Sequence, residues 1–379
     1  MAVAISYTLS IDGTPASPEL LAAIQQVEVE DHASLADMLR LRLSVAVTAN
    51  GAAWKVIDDD LFPRLANVQV RVTVGSGPAE PLINAYVLET AAEFSSQPGE
   101  STLNVVAMDP TLLMNLDEKV KAWPNMTDSD IATAIFGDYN FTPVVESTSI
   151  QRSETNQTPI QRGTDIQFLQ RLARRNGYEC YVETNAQTGN VEGHFHPPQL
   201  QQTPQGVLTV GMGQAGNVTS LKVRHDMLRP VTVQANGLDV SSGEAQSGQA
   251  DSASLRTIGS QAALSGDRPR RVLLSGTGLV ETSELQAYAQ AVVDQSSWAI
   301  WAEGEVNTVV YGSVLHAKRL VAVRGAGRRL SGDYYVEKVL HVLNAQGYVQ
   351  RFTLRRNALG LTGQESFVED RALPVQGGS

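Results

Sequence analysis

Two histidines close in sequence are the most direct candidates for chemistry in this chain. His194 and His196 alternate along a run with strand character, so their imidazoles share one face at about the separation that one metal ion needs. Glu192 falls on the same face. No further Asp, Glu or His follows at a spacing diagnostic of zinc, so the sequence predicts an exposed polar strand face and no metal ligands.

Cys180 is the only cysteine in the chain and the only candidate thiol nucleophile. Such a nucleophile needs a histidine base and a group that orients the base. Cys180 instead alternates with Tyr178 and Val182 along a strand-like run, which predicts a small buried residue. A single cysteine also excludes an intramolecular disulfide framework.

Two further stretches contain residues typical of ligand sites, a dinucleotide site in one and a cation site in the other, but neither has the other features that such a site requires. Gly211–Gly216 matches G-x-G-x-x-G, but a dinucleotide site needs a helix directly after it, and residues 217–223 have strand character. We therefore expect a glycine-rich hairpin and no cofactor. The run Asp58–Asp60 is typical of a solvated turn. The sequence thus predicts no catalytic, cofactor-binding or metal-binding residues, and no enzyme.

The element that carries Cys180 is the most sharply patterned part of the chain, Arg162–Glu183, with the sequence RGTDIQFLQRLARRNGYECYVE. Thr164 is a candidate helix cap with Gln167 as its partner, and an apolar stripe follows at helical spacing. Asn176-Gly177 is a helix stop, and an aromatic strand follows it. The arginines near the helix end suit the negative end of the helix dipole.

The remaining elements follow from periodicity. Leu39–Val45 and Val68–Val74 alternate strictly, which is typical of half-buried antiparallel strands. A helix capped at Thr127 and ending at Gly137, and another over 283–297 capped by Ser283 with Gln286, are also expected.

These patterns predict a mainly β fold with α+β insertions, in which two related β-barrel domains flank a small α/β domain. The expected first β-barrel covers 1–108, the α+β middle domain 109–200 and the second β-barrel 201–360, with a mobile loop at 241–269 and an extended or disordered tail at 361–379. In both halves the order strand, Gly-x-Gly turn, long strand, turn, strand recurs, which indicates a weak internal repeat.

Charge is unevenly distributed along the chain. The formal net charge is −11 at pH 7, and residues 1–130 hold 18 acidic and 7 basic side chains while the rest balances to zero. A nucleic-acid binder would show a basic patch, so we expect no specific nucleic-acid binding. The acidic side chains either keep the N-terminal part soluble or form a surface that meets a basic partner. No apolar run reaches the about 18 residues of a spanning helix and no secretory signal is seen, so we expect synthesis in the cytoplasm and no stable membrane anchor.

Three segments together resemble one family. They are WPNMTDSDIATAIFGDYNF at Trp123–Phe141, the Arg162–Glu183 cassette, and LSGDYYVEKVLHVLNAQGYVQRFTLRRN at Leu330–Asn357. They are similar to phage late control D-type tail proteins, the T4-type baseplate hubs and the hub half of type VI secretion spike proteins. In the cassette the matching residues are Asp165, Phe168, Leu169, Leu172, Ala173, Gly177 and Tyr178; His341 and Gly347-Tyr348 match in the last segment.

The resemblance implies a non-enzymatic hub. In one departure from type VI spike proteins, the chain ends about twenty residues after the second expected barrel, so we expect a hub without their OB-fold and needle. It implies a homotrimer with two similar barrels per chain, which gives six quasi-equivalent positions. Such a pseudo-sixfold ring would adapt a hexameric inner tube to a trimeric spike in a contractile phage tail-like particle or injection system. The implied partners are the spike, the inner tube or its initiator, and other baseplate proteins, first in the bacterial cytoplasm and then in the particle. A tail-tip cell-wall hydrolase and a glycan-binding tail protein remain the alternatives.

Overall fold

The computed structural model describes residues 4–47, 54–97, 99–152, 154, 158–213, 216–238, 243–265, 269–276, 278–279 and 281–367. The mainly β fold with a small α/β part is confirmed. No described helix is long and apolar enough to cross a membrane.

The N-terminal part is built from strands with strict in–out alternation. In β5, for example, Val68, Val70 and Val72 are fully buried while Gln69 is exposed. Its elements are β1 (Ile5–Ile11), β2 (Thr14–Pro15), α1 (Pro18–Ala23), β3 (Ile24–His32), β4 (Met38–Ser44), α2 (Lys55–Asp58), β5 (Asn67–Val74), β6 (Glu80–Glu93) and β7 (Thr102–Met108).

The middle part combines short helices with small sheets around its own apolar core, which includes Phe136, Leu169 and Phe195. A 3-10 helix opens it at Pro110–Asn115. The other elements are β8 (Lys119–Ala122), α3 (Asp128–Asp138), β9 (Thr142–Val145), β10 (Ile160–Gly163), α4 (Asp165–Asn176), β11 (Glu179–Thr184) and β12 (Val191–His196).

The C-terminal part returns to antiparallel strands and adds one long helix. Its elements are β13 (Val207–Thr209), β14 (Val218–His225), β15 (Val231–Leu238), β16 (Ala245–Ala250), β17 (Gln261–Ala262), β18 (Arg270–Leu274), α5 (Thr282–Ser297), β19 (Ile300–Asn307), α6 (Thr308–Tyr311), β20 (Leu320–Arg324), α7 (Gly327–Leu330), β21 (Gly332–Asn344), β22 (Gly347–Arg356) and β23 (Ala358–Leu359).

One sheet of 13 strands joins the two outer parts. Its order is β14-β19-β22-β21-β3-β4-β7-β6-β5-β1-β2, with β20 and β13 attached beside β21. The joint is the antiparallel pairing of β21 with β3, from Lys338 opposite His32 to Asn344 opposite Gln26. Among the described strands no closed barrel is formed, and the two related β halves that the sequence predicts share the β21–β3 ladder.

The internal repeat expected from the sequence is present in the strand order. In the N-terminal part β3, β4, β7, β6 and β5 are antiparallel neighbours in that order, and β14, β19, β22, β21 and β20 repeat it in the C-terminal part. The long strands β6 and β21 hold the same position. Each carries a β-bulge against the following strand, between Val87 and Glu89 in one and between Val336 and Lys338 in the other.

The prediction of one loop over 241–269 is wrong for part of that range. Ala245–Ala250 forms β16, which pairs with β15 and lies directly under α5. A Cβ atom on Gly248 would come within 2.3 Å of the Gln286 backbone nitrogen, so the helix packs on the strand only if small residues line it. The small residues of Ala245–Ala250, which are typical of a loop, are therefore required by the close packing of α5 on β16. Residues 368–379 of the expected tail lie outside the described residues.

Helix ends also differ from the prediction in detail. α3 continues through Gly137 to Asp138, and its expected capping box at Thr127 is present. α5 begins at Thr282 without a side-chain cap. Gln286 instead binds the backbone of β16, where its Oε1 accepts from Gln249 N at 2.9 Å and its Nε2 donates to Gln249 O at 2.7 Å.

Candidate functional site

The acidic residue of the cassette is a hydrogen-bond centre. Asp165 accepts hydrogen bonds from Lys119 Nζ at 2.5 Å, Tyr139 Oη at 2.7 Å and Gln161 Nε2 at 2.6 Å. These three donors hold the pKa of Asp165 below its usual value against the opposing effect of burial. The first residue of α4 therefore ties that helix to β8, β10 and the end of α3.

Thr164 does not cap α4 as expected. It occupies the N-cap position with extended backbone, but no side-chain hydrogen bond to the helix is formed. Its hydroxyl donates to Asn115 Oδ1 at 2.8 Å, so it joins α4 to the 3-10 helix instead.

Gly177 ends α4 as predicted. Its φ of 69° lies in the left-handed region, and its N–H group bonds back to the last turn of the helix. An added Cβ would lie 3.3 Å from Cα of Ala291, so this turn also packs closely against α5. The cassette is thus a docking element between the middle part and α5.

The arginines near that docking surface bind acids across elements. Arg175 forms a two-point contact with Asp128, and Arg152 lies between Asp128, with Nη1–Oδ1 at 2.9 Å, and Glu284 of α5, with Nε–Oε1 at 2.5 Å. Arg152, Asp128 and Glu284 are all buried. Arg175, which was predicted to interact with the helix dipole, therefore also forms a salt bridge with Asp128.

A second buried ion cluster connects the outer parts directly. Lys318 Nζ lies 2.7 Å from Asp31 Oδ1 and 2.9 Å from Asp37 Oδ2, and its side chain is 3% exposed. Asp31 Oδ2 accepts from Ala317 N at 2.8 Å. The cationic neighbours, chiefly Lys318, hold the pKa of Asp31 well below its usual range although burial acts in the opposite direction. This cluster fixes β3 to the segment before β20.

A third cluster connects β22 with the middle part. Arg355 lies between Glu179, with Nη2–Oε1 at 2.5 Å, and Glu337, with Nε–Oε2 at 2.9 Å. Its guanidinium stacks over Trp298 and Tyr335 at 4.5 and 4.8 Å from the ring centres. Burial raises the pKa of Glu179 to about 7, and the nearby carboxylate of Glu337 adds to the rise, while Arg355 and Tyr335 act in the opposite direction. The three ion clusters together lock the three parts of the chain into one body.

A cleft of about 570 Å³ opens beside the third cluster. Its walls combine the cassette with α5, and its lining includes Tyr178, Cys180, Tyr288, Trp298 and Arg355. Burial raises the pKa of the Cys180 thiol to about 12, so the thiol is uncharged at neutral pH and is a poor nucleophile. The prediction of a small buried cysteine is confirmed.

The paired histidines are buried, whereas an exposed strand face was expected. His194 and His196 are 7% and 3% exposed because Tyr181 of the neighbouring strand stacks on His194 at a ring-centre distance of 4.5 Å. Burial, with the neighbouring His196, lowers the pKa of His194 to about 3, so its ring is neutral at physiological pH. Glu192 and Glu183 lie beside His194, and one ligand atom from each of the three lies within 4.8 Å of the others.

The strand expected after the glycine-rich stretch is present, but the expected hairpin is wrong, because the described flanking strands β13 and β14 pair with β20 and β19 and not with each other. The described part of Gly211–Gly216 leads into strand β14 and not into a helix, which leaves no helix N-terminus for a pyrophosphate. Asp58, Asp59 and Asp60 are exposed at the end of α2.

Sequence reasoning missed the buried ion clusters. One signal was available: Asp31 lies two residues after Val29 and four after Val27, on the buried face of β3. An acid in phase with buried valines predicts a buried partner. Its partner Lys318 is 287 residues away, and no local pattern identifies it.

Comparison with known proteins gives a family and a fold. A family model described as the Alg8 N-terminal domain matches residues 3–345. No curated protein matches the sequence.

Solved structures of phage tail proteins share the fold across nearly the whole chain. A tail protein of prophage MuSo2 from Shewanella oneidensis has a TM-score of 0.63 at 17% identity, covering 94% of this chain and 100% of that chain. A tail protein from Neisseria meningitidis has a TM-score of 0.63 at 11% identity, covering 93% and 97%. An E. coli component of the type VI secretion system has a TM-score of 0.55 at 13% identity, covering 92% and 76%. The tail-protein fold implied by the three sequence segments is therefore confirmed.

Proposed function

The chain belongs to the family described as the Alg8 N-terminal domain, and from its tail-protein fold we propose that it is a structural baseplate hub. In this proposal three copies form a pseudo-sixfold ring that adapts a hexameric inner tube to a trimeric spike. The three motif segments support a finer placement with late control D-type and T4-type hubs. The hub would have no enzymatic activity, would assemble in the cytoplasm and would then become part of the particle.

The observation that carries the proposal is an unpaired edge on β6. In the C-terminal repeat, β21 pairs with β3 through Lys338–Asn344. The equivalent strand β6 pairs with β5 only up to Tyr86, and its hydrogen bonds on that side end at Val87. Residues 88–93 are all exposed, and 89–93 are paired on their other side with β7. The C-terminal repeat therefore has a joint at β21, whereas no described strand pairs with the equivalent edge of β6 beyond Val87.

A partner for that open edge lies at the other end of the same sheet. β14 holds the position in the C-terminal repeat that β3 holds in the N-terminal repeat, and among the described strands it pairs only with β19. Its exposed Lys222 and Arg224 share one face, whereas Glu89 and Glu93 share one face of β6. Opposite charges across two strands favour their pairing.

Pairing β6 of one protomer with β14 of the next repeats the internal β21–β3 joint between chains. Each added chain leaves the same two edges free, so the contact is heterologous and ends only when a ring closes. Two repeats in each of three chains give six equivalent joints, alternately within and between chains. A closed ring also removes the exposed strand edges that would otherwise promote aggregation.

Native mass spectrometry of the full chain tests this proposal. We expect a homotrimer, either for the chain alone or after co-expression with its spike protein. A stable monomer under both conditions would contradict the ring.

Charge reversal tests the proposed joint itself. Lys222→Glu with Arg224→Glu should dissociate the trimer, and adding Glu89→Lys with Glu93→Arg should restore it. Arg270→Glu with Arg271→Glu is the matched control, because both arginines are exposed on β18 and the net charge change is identical. A trimer that survives the first pair, or that is lost equally in the control, would place the interface elsewhere.

A further inference from the structure

The hairpin of β11 and β12 brings two carboxylates and an imidazole together. Glu183 lies directly opposite Glu192, and His194 is two residues further along β12 on the same face. His194 Nε2 lies 3.5 Å from Glu183 Oε1 and 3.5 Å from Glu192 Oε2. The second carboxylate is held in place, because Asn185 Nδ2 donates to Glu192 Oε1 at 2.9 Å.

The neighbouring hydrogen bonds determine which ring nitrogen of His194 carries the proton. His196 Nδ1 lies 2.8 Å from the Pro197 carbonyl oxygen, which only accepts, so this nitrogen carries a hydrogen. With that hydrogen on His196 Nδ1, Nε2 of the same ring is the acceptor, and it faces His194 Nδ1 at 3.1 Å and Tyr181 Oη at 3.4 Å, so His194 Nδ1 donates. The remaining nitrogen, His194 Nε2, presents a lone pair toward the two carboxylates.

Three acceptors therefore face one another without a donor among them. His194 Nε2 is buried and has no hydrogen-bond partner, and its side chain is 8% exposed. The nearby ammonium group of Lys318, whose charge reaches Glu183, makes its hydrogen bonds to Asp31 and Asp37. An unpartnered buried acceptor facing two anions is unfavourable, and a bound cation removes the penalty.

The spacing matches one metal ion. Two ligands at about 2.1 Å from zinc at the tetrahedral angle lie about 3.4 Å apart. The distances from His194 Nε2 to Glu183 Oε1 and to Glu192 Oε2, both 3.5 Å, agree with this value. Two carboxylates and a neutral imidazole balance a divalent charge, and a nitrogen ligand favours zinc over magnesium. His196 and Asn185 then act as the groups that orient the ligands.

We infer that Glu183, Glu192 and His194 bind one divalent transition-metal ion, with zinc as the best match. Glu183 is 30% exposed, so the site is open to solvent and water supplies the fourth ligand. The ion cross-links β11 and β12 close to the junction of the three parts of the chain.

Titration of Zn²⁺ into tag-free, chelator-treated full chain, followed by isothermal calorimetry, tests the site. We expect about one Zn²⁺ per chain, no competition from excess Mg²⁺, and a raised Tm. Co²⁺ in place of Zn²⁺ should give the visible absorption of a tetrahedral complex. Side chains that only stabilise the fold and bind no metal ion would not produce this absorption.

Isosteric variants identify the ligands. Glu183→Gln and Glu192→Gln should each weaken Zn²⁺ affinity at least about tenfold and leave the circular dichroism spectrum unchanged. Glu118→Gln, at an exposed glutamate of the same middle part, is the control and should bind as the parent does. The inference is overturned if the parent binds no Zn²⁺, or if all three variants bind as tightly as the parent.

Discussion

Lys318 and Asp31 are 287 residues apart in sequence, and their side chains form a buried ion pair with Nζ–Oδ1 at 2.7 Å. The pair lies beside the β3–β21 ladder that joins the two repeats. It links β3 of the N-terminal repeat to the segment before β20 of the C-terminal repeat. Breaking a buried pair costs more than the pair contributes, because one charge is left without compensation.

Lys318→Met should therefore destabilise the chain strongly. Removing the cation leaves Asp31 and Asp37 buried without their main counter-charge, and we expect the free energy of unfolding to fall by about 3–5 kcal/mol. Urea denaturation at one fixed chain concentration measures it, because an oligomer's stability depends on concentration. Lys338→Met is the matched control: its ion pair with Glu30 is partly exposed, so the loss should stay below about 1 kcal/mol. Equal losses in the two variants would show that the buried cluster has no special role.

Glu179 should make stability depend on pH. Its folded pKa of about 7 lies above the ordinary value of 4.5, so its stabilising contribution is complete below pH 4.5 and is lost as the pH rises through 7. Between pH 4.5 and pH 7 the free energy of unfolding of the parent should fall by up to about 3 kcal/mol relative to that of Glu179→Gln. Urea denaturation of both proteins across this range is the measurement. A constant difference between them would contradict the raised pKa.

Asp165→Asn should weaken the attachment of α4. The substitution removes the charge that three donors share. A charge-assisted hydrogen bond contributes about 1.5–3 kcal/mol to the free energy of unfolding, so we expect that free energy to fall by at least about 2 kcal/mol. Thermal unfolding followed by circular dichroism checks it. Asp138→Asn changes an exposed acid at the end of α3 and should have an effect below about 0.5 kcal/mol. If the two variants unfold at the same temperature, the motif acid is not a structural centre.

Gly177→Ala should cost more than its backbone conformation alone explains. A left-handed φ costs a non-glycine residue about 1–2 kcal/mol, and the new Cβ also meets Ala291 of α5. Gly189→Ala provides the comparison, because its φ of 73° is similar and its Cβ would meet nothing within 4 Å. The excess loss in Gly177→Ala, measured by urea denaturation, reports the close packing of the cassette on α5. Identical losses would mean that this packing adapts at no cost.

The sequence alone determined the elements whose signals are local. Strict alternation identified β4 and β5, the Thr127 capping box placed the start of α3, and Asn176-Gly177 placed the end of α4. The repeated order of strands and Gly-x-Gly turns indicated the two repeats. Three motif segments that resemble late control D-type tail proteins were enough to indicate a tail-protein fold.

The tertiary structure alone decided how these elements meet. The small residues of Ala245–Ala250 resemble a loop until α5 is placed on them. The sequence brought His194, His196 and Glu192 onto one strand face, whereas Glu183, which completes the proposed metal site, comes from across the hairpin.

The pairing of Lys318 with Asp31 could not be predicted from the sequence either, because the two residues are 287 positions apart. Helical and strand periods reach only a few residues, so the sequence specifies which faces are buried. Which buried faces contact each other depends on shape and charge complementarity between segments hundreds of residues apart, and only the folded chain settles that pairing.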